Sequence, residues 1–186
     1  MTKLIGISGS LRQRSFNTAL LRAANALLPG ETSLQISTLH GIPLYDGDLE
    51  SAAGVPGSVA TLKEAVVAAD GVLLATPEYN NGIPGVFKNA IDWLSRPAAD
   101  IPRVFGGKVI ALMGTSPGAF GTVLSQAAWL PVLRTLGTSP WFGGRLMLSH
   151  ANDVFDAALA IKDAAVQERV RRFLAGFVDA VRRSQR

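Results

Sequence analysis

The sequence predicts an α/β domain with helices covering both faces of a parallel sheet, and three observations carry that prediction. Short apolar runs alternate with stretches of helical spacing from one end of the chain to the other. The run Gly71-Val72-Leu73-Leu74-Ala75-Thr76 lacks any polar alternation, as a strand covered on both faces requires. The chain has 186 residues, 48% hydrophobic and 17% charged, which suits one well-buried domain over residues 1–186.

Leu4-Ile5-Gly6-Ile7 reads as the first strand. A helix follows over about 15–28, ended by Pro29-Gly30. Leu34 to Leu39 alternates apolar and polar residues, a second strand with one covered face. Residues 40–56 are rich in Gly, Asp and Pro and read as a long loop. Val59, Leu62, Val66 and Ala69 then mark a one-faced helix. Residues 71–76 form the third strand, 85–94 a helix, and 109–113 the fourth strand. A helix over about 120–136 contains Pro131, which predicts a kink or a break. The fifth strand has two candidate positions, 139–142 and 145–148. The last helix, about 156–183, gathers Val166, Val170, Phe173, Leu174, Phe177 and Val181 on one side. No internal repeat or linker divides the chain.

Composition removes several kinds of chemistry. There is no cysteine, hence no disulfide, thiolate catalysis, iron–sulfur cluster or sulfur-ligated zinc. His40 and His150 are the only histidines, too few for a multi-histidine metal centre. The net charge of +4 comes without a basic stripe interleaved with aromatics, so nucleic acid is not an expected partner. No apolar run approaches the ~20 residues needed to cross a bilayer. The start of the chain is too short before Gly9-Ser10 for a secretory signal, and a cytoplasmic location is expected.

Repeating βα units of this number match the flavodoxin-like strand order 2-1-3-4-5, a three-layer sandwich whose ligand crevice lies where the first and third strands diverge. The loops leaving those strands are specialised. Gly9-Ser10-Leu11-Arg12-Gln13-Arg14-Ser15-Phe16-Asn17 opens a helix, whose free N–H groups attract an anion. Gly9 permits a tight turn; Ser10, Ser15 and Asn17 offer uncharged donors; Arg12 or Arg14 supplies positive charge. Without its position at the strand end, the same loop would read as a capped helix with surface arginines. After the third strand, Pro77-Glu78-Tyr79-Asn80-Asn81-Gly82-Ile83-Pro84-Gly85 offers a backbone open enough to lie against a planar ring. Gly114-Thr115-Ser116-Pro117-Gly118 is a third small-residue turn at the same edge. Together they suit a phosphate on one side and a flat ring on the other, the shape of flavin mononucleotide (FMN).

Gly9-Ser10-x-Arg12-x-x-Ser15-x-Asn17 with Pro77-Glu78-Tyr79-Asn80 resembles the NADPH-dependent FMN reductase family. Within it the likeness is to bacterial chromate and quinone reductases, which also show the run Lys88-Asn89-Ala90-Ile91-Asp92-Trp93-Leu94-Ser95-Arg96. The resemblance runs from Lys3 to about Ser116. It implies that Ser10, Arg12, Ser15, Phe16 and Asn17 hold the phosphate and ribityl chain, and that Pro77, Glu78, Tyr79 and Asn80 hold the isoalloxazine. Ser116 resembles a third contact, where Pro117 removes one amide donor.

The resemblance further implies hydride transfer from NADPH or NADH through FMN to a small oxidised acceptor in a ping-pong cycle, with no essential acid–base side chain. It also implies a homodimer or homotetramer. Trp93 and the segment 127–136 are candidates for that contact, with Trp129 and Leu130 equally assignable to the core. Arg96 and Arg103 lie just beyond the ring-side helix and are candidates for nucleotide phosphates or an oxyanion acceptor; exposed loop arginines would look the same. A non-enzymatic, flavodoxin-type electron carrier is the alternative, although such carriers are normally acidic.

Overall fold

The computed structural model describes residues Met1–Arg186. Its parallel sheet has the order β2-β1-β3-β4-β5, built from β1 (Thr2–Ser8), β2 (Thr32–Ser37), β3 (Gly71–Ala75), β4 (Val109–Thr115) and β5 (Ser139–Pro140). The two candidate positions for the fifth strand are both used. Ser139 and Pro140 pair with Val109 and Ile110, whereas β6 (Leu146–Leu148) pairs with Met113, Gly114 and Thr115. One edge position is thus filled by two short segments, and residues 141–145 leave the sheet between them.

On one face lie α1 (Phe16–Ala26) and the long C-terminal α8 (Ala164–Ser184). They bury Leu20, Leu21, Phe173, Leu174, Phe177 and Val178 against the sheet. The other face carries α3 (Gly57–Ala68), α4 (Gly85–Leu94), α5 (Ile101–Phe105) and α6 (Val123–Thr135). Their core includes Val59, Val66, Phe87, Trp93, Trp129 and Leu133. All five residues of β3 are buried, as its uninterrupted apolar run predicts. Trp93 and Trp129 are fully buried, so neither belongs to an open contact surface. No helix is long and apolar enough to cross a membrane.

Four differences from the sequence reading have local causes. The loop over 40–56 contains α2 (Gly47–Ala53), started by Asp46, whose side chain accepts from the Asp48 N–H. None of its residues is buried, so it carries no apolar periodicity to read. The last helix begins at Ala164, capped by the Asp163 carboxylate, and is preceded by the short α7 (Ala151–Val154). Between them Phe155 and Ile161 pair across a tight loop closed by Asp156 onto the Ala160 N–H. Pro131 sits inside an unbroken α6. Pro131 and Ala127, whose carbonyl loses its partner, are both exposed, so water satisfies the missing bond.

Arg103 is committed to the scaffold. It donates to both Glu64 oxygens, at 3.0 and 3.2 Å, and to Asp100 at 3.4 Å. Lys63, buried on α3, donates to the same Asp100 oxygen at 3.0 Å and to the Arg96 carbonyl. This clasp fixes the α4–α5 connection against α3. The Lys63 and Arg103 hydrogen bonds hold the Asp100 carboxyl below its usual range, and Arg103 does the same for Glu64. Because the folded values are depressed, the stabilisation is complete above the ordinary carboxylate range near pH ~4 and fades as pH falls through it. Asp100→Asn is therefore expected to lower the denaturant midpoint at neutral pH. The gap from the parent protein should close as pH drops below about 4, and a pH-independent gap would contradict the assignment.

Candidate functional site

At the carboxyl edge of the sheet three loops meet. The N–H of Gly9 donates to the Ala75 carbonyl at 2.9 Å, and that of Thr76 to Met113 at 2.9 Å, so the loops leave the sheet in register. A Cβ on Gly9 would stand 2.2 Å from Phe87 Cδ1 and 2.9 Å from Pro77 Cδ. Only glycine lets the first loop cross the second this closely.

These loops enclose a small cleft lined by Ser10, Arg12, Ser15, Phe16, Asn17, Pro77, Glu78, Tyr79 and Ser116. Nine of the ten candidate cofactor residues from the sequence are thereby brought to one place, at the β1/β3 switch point. Thr115 and Pro117 complete the lining. The cleft is small, about 70 Å³, and partly open to solvent.

Each side chain has a definite local task. Ser15 caps α1, accepting from the Thr18 N–H at 3.2 Å. The Phe16 and Asn17 N–H groups have no acceptor within the protein, and the first turn carries no acidic residue. Asn17 forms a reciprocal pair with the backbone of Thr115, donating to its carbonyl at 2.9 Å and accepting from its N–H at 3.0 Å. That pair fixes the start of α1 to the end of β4. Ser10 accepts from the Arg12 N–H at 3.3 Å. Phe16 stacks on Phe155 with ring centroids 5.4 Å apart.

The choice between Arg12 and Arg14 is made by the fold. Arg14 donates to the Ala157 carbonyl at 2.7 Å and lies outside the cleft lining. Arg12 lines the cleft and its guanidinium has no partner in the protein. The His40 ring lies 3.1 Å from the Leu11 carbonyl, tethering the same loop to the end of β2.

The second loop is a two-residue hairpin. Tyr79 and Gly82 exchange backbone hydrogen bonds at 3.2 and 3.0 Å around Asn80 and Asn81. Both asparagines have positive φ, 49° and 63°, as a type I′ turn requires. Asn80 is thus at the hairpin tip and does not line the cleft; its residue type serves the turn. Behind the loop, Thr76 Oγ1 contacts Ser125 at 2.8 Å and accepts from Trp129 Nε1 at 3.1 Å.

Glu78 reaches away from the cleft. Its Oε2 accepts from the N–H groups of Leu124 and Ser125 at 2.8 and 3.0 Å. The α6 N-cap residue, Thr122, makes no such bond, so a carboxylate from a distant loop closes this helix. Ser116 donates its hydroxyl to the Gly121 carbonyl at 2.6 Å and its N–H to Leu148 at 3.1 Å. The amide of Ser116 is therefore engaged in the turn, and Pro117 beside it has none to offer.

Arg96 and Arg103 are not brought to the cleft. Arg96 lies 5.0 Å over the Tyr45 ring and 4.0 Å from Glu50, and Arg103 is held in the clasp described above. The run 88–96 is a structural clamp. Asn89 accepts from the Tyr45 N–H at 2.8 Å and donates to the Pro43 carbonyl at 2.8 Å, and Trp93 Nε1 donates to that carbonyl at 2.9 Å.

One polar atom stands out. Thr115 Oγ1 is buried with no hydrogen-bond partner, and its residue lines the cleft. A buried hydroxyl without a partner is costly unless something else supplies one. With Arg12 and the free amides of α1, the cleft is rich in donors. Its one carboxylate, Glu78, is directed to α6. This donor set fits the phosphate and hydroxyl-bearing chain of FMN. The sequence reading placed Thr115 in the small-residue turn after the fourth strand and gave it no role, because nothing local marks its hydroxyl as unpartnered.

A 2-1-3-4-5 parallel sheet with a donor-rich cleft at its switch point defines a flavodoxin-like protein of the nucleotide-binding class. More narrowly, the chain belongs to the NADPH-dependent FMN reductase family, whose sequence model matches residues 2–153. It is 41% identical over 181 residues to an NAD(P)H-dependent FMN reductase of Pseudomonas aeruginosa, covering 97% of this chain and 96% of that one. It is 37% identical over 177 residues to a 2-hydroxy-1,4-benzoquinone reductase of a Burkholderia species, covering 95% and 92%. Among solved structures it resembles the flavoenzyme NAD(P)H:(acceptor) oxidoreductase FerB of Paracoccus denitrificans, with a TM-score of 0.85, 34% identity and 99% coverage of both chains.

Glu78→Ala is expected to weaken FMN binding roughly tenfold, with a stability loss of about 0.5–2 kcal/mol from the uncapped α6. Glu78→Gln keeps an oxygen acceptor and should lose less of both. Fluorescence titration with FMN and thermal unfolding measure the two effects. Equal losses in both variants, or none, would show that the cap does not hold the loop.

Proposed function

We propose that this chain is an FMN-dependent oxidoreductase that takes hydride from NADPH or NADH and passes electrons to quinones, chromate or similar small acceptors by a ping-pong cycle. The observation carrying this reading is the pairing of a small, donor-rich cleft with an exposed hairpin beside it. Tyr79 at the hairpin is 46% exposed, so a planar group resting there keeps one face toward solvent. The quinone and FMN reductases among its relatives support the same acceptor chemistry.

In this reading Arg12 and the Phe16 and Asn17 amides hold the phosphate, while Ser10 and Ser15 lie toward the ribityl chain. The backbone of 77–80 supports the ring. Bound FMN would supply the centre that accepts hydride and returns electrons. Nicotinamide and acceptor then use the same open face in turn, which is what makes the cycle ping-pong. Glu78 holds a loop by accepting two backbone N–H hydrogen bonds and moves no proton. The flavodoxin-type carrier remains the competing reading. The +4 charge disfavours it, because docking on basic partners calls for an acidic surface.

Anaerobic addition of NADPH to the FMN-loaded protein should bleach the flavin absorbance within a turnover time, and a quinone should restore it. Initial-rate plots at several quinone concentrations should be parallel. A flavin that stays oxidised under NADPH would favour the carrier, and intersecting plots would remove the ping-pong order.

We further propose that the protein is a homodimer or homotetramer. Phe120 and Phe142 are 81% and 72% exposed, and Leu124 and Leu130 are also open. Leu130 and Phe142 line one apolar groove with Val123, and exposed apolar surface of this kind marks contact sites. Light scattering after gel filtration is expected to give a multiple of 19.6 kDa. Phe120→Ser with Phe142→Ser should reduce that mass, and a parent protein already monomeric would refute the proposal.

A further inference from the structure

The gap in the fifth strand creates a second polar feature away from the cofactor cleft. Trp141 opens the excursion, its N–H still donating to the Ile110 carbonyl at 2.8 Å. Its indole turns onto α8, edge-on to Phe173 with centroids 5.2 Å apart and tilted against Phe177 at 5.8 Å. The ring fits because glycines surround it. A Cβ on Gly143 would stand 2.6 Å from Nε1, one on Gly144 2.8 Å from Cη2, and one on Gly176 3.0 Å from Cζ2. The nitrogen edge therefore lies beside Gly143. Trp93 and Trp129 donate their indole N–H to Pro43 and Thr76. Trp141 makes no such bond, although its side chain is partly buried.

A cavity of about 260 Å³ borders that edge, lined by Trp141, Arg145, Arg169, Arg172, the glycines and Phe173, with no carboxylate among them. Arg145 and Arg169 form no ion pair. Arg172 reaches Glu168 only at 4.0 Å, and Glu168 also serves Arg171 at 3.4 Å. Three arginines thus line it with one distant, shared counter-charge. Guanidinium forks match tetrahedral oxyanions, and an indole N–H can only donate. Every polar side chain lining the cavity is a donor. The cavity shares no residue with the cofactor cleft.

We propose that Arg145, Arg169, Arg172 and the Trp141 indole N–H form a binding site for a phosphate-type dianion, either free or carried by an organic ester. The test uses FMN-saturated protein, so that the cofactor cleft cannot report. Inorganic phosphate, pyrophosphate, glycerol phosphate and a nucleoside diphosphate are titrated at constant ionic strength while the indole N–H resonances are followed by NMR. Trp141→Phe identifies the relevant signal.

That signal should move saturably with the phosphates while those of Trp93 and Trp129 stay fixed. Arg169→Ala with Arg172→Ala should require roughly tenfold more anion, without altering FMN affinity. Tighter binding of the esters than of inorganic phosphate assigns the site to an organic phosphate, and equal binding assigns it to the free anion. A signal that follows chloride as it follows phosphate, or that titrates identically in the double variant, overturns the proposal.

Discussion

Two of the helices that begin at the carboxyl edge of this sheet, α1 and α6, start beside the cleft, and the chain supplies a carboxylate to only one of these two. The amides opening α6 are closed by Glu78, which crosses from the β3 loop to reach them. The amides opening α1 receive a serine cap and nothing charged, which leaves Phe16 and Asn17 N–H groups for an outside acceptor. A helix start carries partial positive charge from aligned peptide dipoles. Satisfying one internally ties the β3 loop in place; leaving the other open leaves donors at the cleft, the seat proposed for the phosphate. The cleft is the difference between the two.

The seat stays open because its walls are held from behind. Asn17 and the Thr115 backbone exchange two hydrogen bonds across the cleft floor. Thr76, Ser125 and Trp129 form a buried, satisfied network under the ring loop. Gly114 allows the loops to close, since a Cβ there would lie 2.3 Å from the Thr76 carbonyl oxygen. Such a framework costs no reorganisation when a ligand arrives, and this favours affinity without many direct contacts.

In the same framework few ionisable side chains are left free at the cleft. The carboxylate nearest the cleft is spent on a helix cap, and the two arginines beyond the ring-side helix are engaged by Tyr45 and Glu50 or by Glu64 and Asp100. What the protein contributes is placement.

Much of this was legible in the chain. The unbroken apolar run 71–75 announced a two-sided central strand, and the positions of Gly9-Ser10 and Pro77-Glu78 after apolar runs announced the crevice, because strand ends are local features of hydrophobic pattern. The roles within the crevice were not. Whether Arg12 or Arg14 faces inward depends on Ala157, 143 positions away. Glu78 acquires its meaning only from the start of α6. Thr115 is marked by a hydroxyl left without a partner once everything around it has packed. Hydrophobic periodicity is written residue by residue, so the sequence alone settled the alternation of strands and helices and the layers they form, while the strand order came from the likeness to a flavodoxin-like pattern that the pairing then bore out. Hydrogen-bond partnership joins groups distant along the chain, so only the tertiary structure decided which side chains face a ligand and which hold the scaffold.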